Sequence, residues 1–250
     1  MLKPFIMNIT KQIMMLALTM LTFINASCEK TTDDNDTGGG KPDFEIWMGL
    51  KTGSTGNWAN IDWKIVMPNG DYFNQLPGEG FLNFSKNQSG GTWGTFTMNG
   101  NTGAFTNPYE TIEVKKISET ELEKVGYTNR LYKLPSVNGV KLSGKYVNGI
   151  PGWSTSGNYP YSANQAQPMI EFTANGTFND MGAFVTNFTM PDQYPDRAPG
   201  SGTYEIKNFT LILNYTDGRK ITKAFSGVMS NKVTATSELV FIGGNPFYNK

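Results

Sequence analysis

The side chains able to do chemistry are few in this chain, and what is missing tells as much as what is present. Of its 250 residues none is histidine and one, Cys28, is cysteine. Without imidazole there is no Ser-His or Cys-His nucleophile, and the commonest general base and metal ligand is gone. With a single thiol neither an intrachain disulfide nor a cysteine-rich zinc site can form. Carboxylates are the remaining route to acid–base hydrolysis, with Asp62, Asp71, Glu79, Glu171 and Asp180 the candidates by neighbourhood. A glycosidase needs two of them facing each other across a cleft, whereas these flank turns or alternate outward on strands, where a solvated or turn-capping role is normal. Asp192 and Asp196, in the Pro-rich stretch 187–199, offer calcium-type oxygens at a spacing that fits no EF-hand loop, so a rigid surface loop is the simpler reading. Gly-rich segments precede strands rather than helix N-termini, so no phosphate cradle is expected. No catalytic residue, metal or cofactor is assigned.

Binding chemistry is better represented. Aromatic residues make up 13% of the chain against 17% charged, and the formal net charge is zero. That balance suits aromatic-covered sheets, argues against disorder, and leaves no electrostatic footprint for nucleic acid. Trp47, Trp58, Trp63, Tyr72, Phe73 and Trp93 crowd the first half. Trp58 stands in a Gly/Ser/Thr/Asn segment, and Trp153 stands in a similar one followed by Tyr159 and Tyr161. These paired aromatic segments follow the first strand of each half and suit stacking on a sugar ring or an apolar ligand. Trp58, Trp63, Trp153, Tyr159 and Tyr161 are the expected ligand contacts; the competing reading is that each Trp folds back to plug a barrel end.

The N-terminus has a character of its own. Lys3 and Lys11 precede a twelve-residue apolar run from Ile13 to Ile24, too short to span a bilayer comfortably and suited to the h-region of a secretory signal. Ala26 and Ser27 then lead into Cys28. This resembles the lipobox of bacterial lipoproteins, departing from it at Asn25, and the resemblance implies cleavage after residue 27 and acylation of Cys28. The stretch 28–42, with Glu29, Asp33, Asp34, Asp36 and Gly38 to Gly40, has nothing apolar to bury and reads as a flexible acidic, Gly-rich tether. Acidic residues just past such a cysteine resemble the signal that exports lipoproteins to the outer leaflet. The expected location is the outer membrane, cell-surface or periplasm-facing, held by acyl chains rather than by basic residues.

What positions the remaining residues is a grammar of hairpins. Phe209, Leu211, Leu213 and Tyr215 alternate into Asp217-Gly218, a dipeptide that accepts the positive φ of a two-residue turn, before a return strand to Phe225. Strands are expected at 44–50, 62–67, 72–74, 80–84, 92–98, 103–106, 111–117 and 128–134. A second set is expected at 141–147, 169–173, 177–180, 202–207, 210–215, 220–226, 238–242 and 246–249. Only 118–124, with Glu119, Glu121, Glu123 and Lys124, hints at a helical turn. Asn69-Gly70 answers Asn175-Gly176, Gly91 to Phe96 answers Gly200 to Tyr204, and Arg130 to Lys133 answers Phe247 to Lys250, in the same order. That series suggests a duplicated module, with 43–137 and 138–250 joined where Pro135 and Asn138-Gly139 supply turn chemistry.

The second half, with Leu142-Ser143-Gly144-Lys145-Tyr146, Ile170-Glu171-Phe172, Gly202-Thr203-Tyr204-Glu205-Ile206, Asp217-Gly218-Arg219 and Ile242-Gly243-Gly244, resembles the lipocalin-like domains of secreted lipoproteins from Bacteroidota-type bacteria. The first half resembles them more weakly. The resemblance implies an all-β antiparallel meander curling into a barrel or half-barrel, here two in tandem, and carries over no catalytic residue. The expectation is a membrane-anchored, non-catalytic binding module for a small apolar molecule or a glycan. The alternatives are a structural or adhesive lipoprotein docking on a protein partner and a carboxylate-based glycan-acting enzyme.

Overall fold

The structure, a computed structural model, describes residues 43–51, 61–86, 91–148, 168–184 and 198–250. Residues Asp36–Lys250 form one compact unit, and its described part is all β. The first barrel is made of β1 (Glu45–Leu50), β2 (Ile61–Val66), β3 (Asp71–Phe73), β4 (Trp93–Asn99), β5 (Thr102–Thr106), β6 (Thr111–Ser118), β7 (Glu121–Lys124) and β8 (Arg130–Lys133). The second is made of β9 (Gly144–Asn148), β10 (Met169–Phe172), β11 (Thr177–Met181), β12 (Gly200–Lys207), β13 (Thr210–Tyr215), β14 (Lys220–Ser226), β15 (Leu239–Ile242) and β16 (Asn245–Asn249). Each is an antiparallel meander of eight strands closed on itself, β1 pairing with β8 and β9 with β16. Closure leaves neither sheet with an unpaired edge.

The matched sequence segments occupy equivalent places in the two barrels. Asn69-Gly70 turns β2 into β3 and Asn175-Gly176 turns β10 into β11, with Gly70 and Gly176 at φ 84° and 87°. Phe96 in β4 and Tyr204 in β12 donate their N–H to the carbonyls of those glycines, at 2.7 and 2.9 Å. Two residues earlier on the same strands, Gly94 and Gly202 press against the neighbouring strand: a Cβ on either would lie 2.2 Å from the Thr106 carbonyl oxygen or 1.9 Å from that of Asn214.

Two expected elements come out differently. Residues 80–84 are not a strand but a turn-rich excursion between β3 and β4. Phe81 is drawn out of the sheet because its N–H bonds Thr210 Oγ1 of β13 at 2.7 Å and its ring stacks on Phe44 at 4.6 Å. Residues 118–124 are not helical: a tight turn leads into β7, where Leu122 and Lys124 point inward and Glu121 and Glu123 outward. The acidic spacing that suggests a helix face is the outer side of a period-two strand.

Hydrophobic burial is divided unequally. The inside of the first barrel is one cluster of Trp47, Val66, Tyr72, Phe105, Ile112, Val114, Leu122 and Leu131. The outer faces of β1–β3, carrying Ile46, Met48, Trp63, Ile65 and Phe73, belong to a larger cluster continuous with the second barrel's core. Both faces of β2 are therefore buried, one inside its own barrel and one against its neighbour. The connection from β8 to β9 is laid into this joint: Leu134, Val137 and Leu142 are buried, Gly139 N–H bonds Ile206 O at 2.8 Å, and Asn138 Oδ1 accepts from Asn208 N–H at 2.6 Å.

Candidate binding site at the mouth of the first barrel

Alternation along β2 determines what the first barrel contains. Ile61, Trp63 and Ile65 face the joint, so Asp62, Lys64 and Val66 face inward. Lys64 from β2 and Lys124 from β7 meet on Asp62: Lys64 Nζ donates to Oδ1 and Lys124 Nζ to Oδ2, each at 2.6 Å. Lys124 Nζ also donates to the Leu50 carbonyl at 2.8 Å. Residue exposures of 6%, 2% and 1% for Asp62, Lys64 and Lys124 put this cluster where an unpaired ion would cost several kcal/mol. Lys64 Nζ lies 5.6 Å from the Tyr72 ring centroid and 5.9 Å from that of Phe105, so two aromatic faces serve the side of the ammonium that Asp62 does not. Burial pushes the Asp62 carboxyl up, but the two ammoniums outweigh it and hold the group below its ordinary value.

Because successive strands are antiparallel, the β2–β3, β4–β5 and β6–β7 turns lie at one end of this barrel, with the start of β1 and the end of β8. A cleft of about 860 Å³ opens at that end, within the range of small-molecule sites. Its inner wall is Val66, Phe96 and Met98, and its outer wall runs over Ile46 and Leu134 to Phe209 of the second barrel. Phe96 stacks on the buried Phe105 at 4.3 Å, so an aromatic pair floors the inner end. Polar groups stand at the rim, where Lys133 pairs with Glu45 and Glu45 also accepts the Trp47 indole N–H at 3.2 Å. Apolar walls with a few convergent polar groups are what holds a small apolar ligand in one orientation.

The second barrel is filled by rings. Phe172 lies edge-on to Tyr146 at 5.7 Å and to Tyr204 at 4.8 Å, and Phe178 edge-on to Tyr215 at 4.9 Å. Their hydroxyls are engaged: Tyr146 donates to Ser237 O at 3.0 Å, Tyr204 to Leu142 O at 3.0 Å, and Tyr215 to Asp180 Oδ2 at 2.7 Å. Burial pushes the phenols of Tyr146 and Tyr204 up to about 12. Asp180 Oδ1 also accepts the N–H groups of Gly182 and Ala183, at 2.9 and 2.7 Å, yet burial outweighs these bonds and raises its carboxyl.

The residues expected to act are placed as follows. Trp63 is 7% exposed, with Phe241 of β15 edge-on at 5.5 Å, in the wall between the barrels; it does not line the cleft. Cys28, Trp58, Trp153, Tyr159 and Tyr161, with Asp192 and Asp196, lie outside the described residues. Among the candidate carboxylates, Asp62 and Asp180 are buried in different barrels, while Asp71 pairs with Lys86 at 2.8 Å, Glu79 with Lys223 at 3.2 Å and Glu171 with Lys145 at 3.9 Å. Among the described residues no group of three metal-ligating side chains is assembled, and no helix is long and apolar enough to cross a membrane. Lys64 and Lys124 escape a search for chemistry by residue type. Their signal is positional: Asp62 and Lys64 alternate with Ile61, Trp63 and Ile65, so a strand apolar on one side carries opposite charges on the other.

No family model matches the chain, and neither a curated protein nor a solved structure does.

Proposed function

We propose that the protein is a membrane-anchored, non-catalytic binding module that holds a small apolar molecule at the mouth of its first barrel. The observation that carries this reading is the cleft of about 860 Å³ walled by Val66, Phe96, Met98 and Phe209. A concave cleft of that volume with predominantly apolar walls suits a small-molecule ligand. Anchoring through an acylated Cys28 at the outer membrane belongs to the same proposal; Asp43, the first described residue, lies on the rim of the cleft.

Titration with the apolar fluorophore N-phenylnaphthylamine tests the site. Met98, 37% exposed on the inner wall, can be changed without opening the core, so Met98→Asp should abolish the fluorescence gain at an unchanged melting temperature. Binding that survives this change would move the site elsewhere. Metabolic labelling with a palmitate analogue, lost in Cys28→Ser, tests the anchor.

A protein-docking role is the second reading. It is favoured by Tyr109, 84% exposed on the β5–β6 turn, and by Val125 and Tyr127 on the β7–β8 turn, 48% and 46% exposed at the same end of the first barrel.

A further inference from the structure

We propose that Asn99 is a modification site, an asparagine that the fold leaves open to conversion, without an enzyme, to aspartate and isoaspartate. It stands on the β4–β5 turn and is independent of what the cleft binds.

The dipeptide Asn-Gly occurs at Asn69, Asn99, Asn138, Asn148 and Asn175. It is the pair most open to ring closure, because a glycine after the asparagine has no Cβ to obstruct its own backbone nitrogen. The reaction needs a backbone N–H free to lose its proton and a side-chain amide free to swing onto that nitrogen. Gly149, which follows Asn148, lies outside the described residues; the other four pairs can be compared.

Three of them are held at both points. Gly70 N–H bonds Met67 O at 3.0 Å, Gly176 N–H bonds Thr173 O at 3.0 Å, and Gly139 N–H bonds Ile206 O at 2.8 Å. The amides are tied as well. Asn69 Oδ1 accepts the Asp71 N–H at 3.1 Å, Asn138 Oδ1 the Asn208 N–H at 2.6 Å, and Asn175 Oδ1 the Thr177 hydroxyl at 3.0 Å.

Asn99 differs in its place within the turn. It ends β4 opposite Thr102, the first residue of β5, so Gly100 is the second residue of the turn. In a four-residue turn it is the fourth N–H that returns to the first carbonyl; that place falls to Thr102 here, and to Gly70 and Gly176 in the matching turns. Accordingly the Gly100 N–H and the Asn99 amide have no hydrogen bond among the described residues. Both residues are exposed, Gly100 has φ 61°, and a Cβ built on it would meet nothing within 4 Å, so the space the amide must cross is open.

The Gly100 nitrogen gives its proton to hydroxide and attacks Asn99 Cγ. The N–Cγ bond forms, the Cγ–Nδ2 bond breaks, and Nδ2 takes a proton from water and leaves as ammonia; nothing is oxidised or reduced. Water then opens the cyclic imide. Opening at Cγ gives aspartate, and opening at the main-chain carbonyl gives isoaspartate, with a longer main chain. Either product carries a new negative charge next to Met98 on the cleft wall.

Peptide mapping by mass spectrometry of the folded protein, held in mildly alkaline buffer, reads each site by its mass gain of about 1 Da. Asn99 should react about tenfold or more faster than Asn69, Asn138 and Asn175, the factor that breaking one or two hydrogen bonds adds to a barrier, and isoaspartate should be among its products. In urea the four rates should converge, because the same dipeptide is then unconstrained at every site. Asn99 reacting no faster than the other three in the folded protein would overturn the proposal. So would rates as unequal in urea as in the fold, which would trace the difference to local sequence, or aspartate formed with no isoaspartate, which would mean direct hydrolysis of the amide.

Discussion

Asp62 and Asp180 are both buried aspartates, and their neighbours send them in opposite directions. Asp62, beside two ammoniums, is held below the ordinary aspartate value of 3.8, whereas Asp180 is raised above it by burial, which outweighs the hydrogen bonds it accepts. The consequences for stability follow by linkage. Asp62's contribution is present above the unfolded pKa and is lost as pH falls through its folded value. Asp180 runs the other way: its contribution is complete below the unfolded pKa and lost as pH rises through its folded value. Carboxyl carbon NMR shifts should therefore show Asp62 titrating below 3.8 and Asp180 above it, and a reversed order would show that the cluster is not assembled as described. Asp62→Ala, which strands two buried ammoniums, should cost about 3–5 kcal/mol in urea unfolding. The sequence shows Asp62 as a carboxylate of interest but not what it does, because its partner Lys124 lies sixty-two residues away and is brought to it only by closure of the barrel.

Hairpins carry most of what can be read locally. Asn-Gly and Asp-Gly turns announce themselves, and every strand expected in the second half is present, with bounds shifted at most a few residues. The β12–β13 turn does not follow that grammar. Its residues, Asn208 and Phe209, have φ of 46° and 57°, a region where a bulky side chain is strained. The strain persists because the Phe209 ring packs near Phe44 at 6.1 Å and Phe81 at 6.2 Å, across the joint from its own barrel. Asn208→Gly relieves the backbone without touching the ring and should raise stability by about 0.5–1 kcal/mol. Phe209→Ala keeps the strained turn and loses the packing, costing about 3–5 kcal/mol. Thermal unfolding of the two variants should thus shift in opposite senses, and a Phe209→Ala protein as stable as the parent would show that the ring is not an anchor. Residues 80–84 are misread as a strand for the same reason: Phe81 and Phe84 have strand-like composition, but Phe81 is held by Phe209 and Thr210 and Phe84 packs its ring on Phe44, Phe73 and Trp93, neither by a strand ladder.

At the scale of the molecule, the joint makes two barrels into one structure. Trp63 of the first meets Phe241 of the second, Met229 N–H of the second approaches Met48 Sδ of the first at 3.4 Å, and Lys223 reaches Glu79 at 3.2 Å. The largest hydrophobic cluster spans both. Calorimetry should therefore give a single transition, and Trp63→Ala, costing about 3–5 kcal/mol, should lower it without splitting it. Two separate transitions would mean that the joint is a contact between independent domains. Tandem barrels are legible in the sequence because the hairpin pattern repeats. The joint is not, because an apolar residue facing a neighbouring barrel and one facing its own interior look alike in a strand, and only the three-dimensional arrangement tells Trp63 from Trp47.

The burial of both faces of β2 also sets an order in time. The first barrel's last strand ends at Lys133, but the wall that carries Trp63 is not covered until Phe241 has been made. At about 5–20 residues per second, synthesis takes on the order of ten seconds to cross that interval. Throughout it the nascent chain carries a tryptophan-bearing sheet whose cover, among the described residues, has yet to be made.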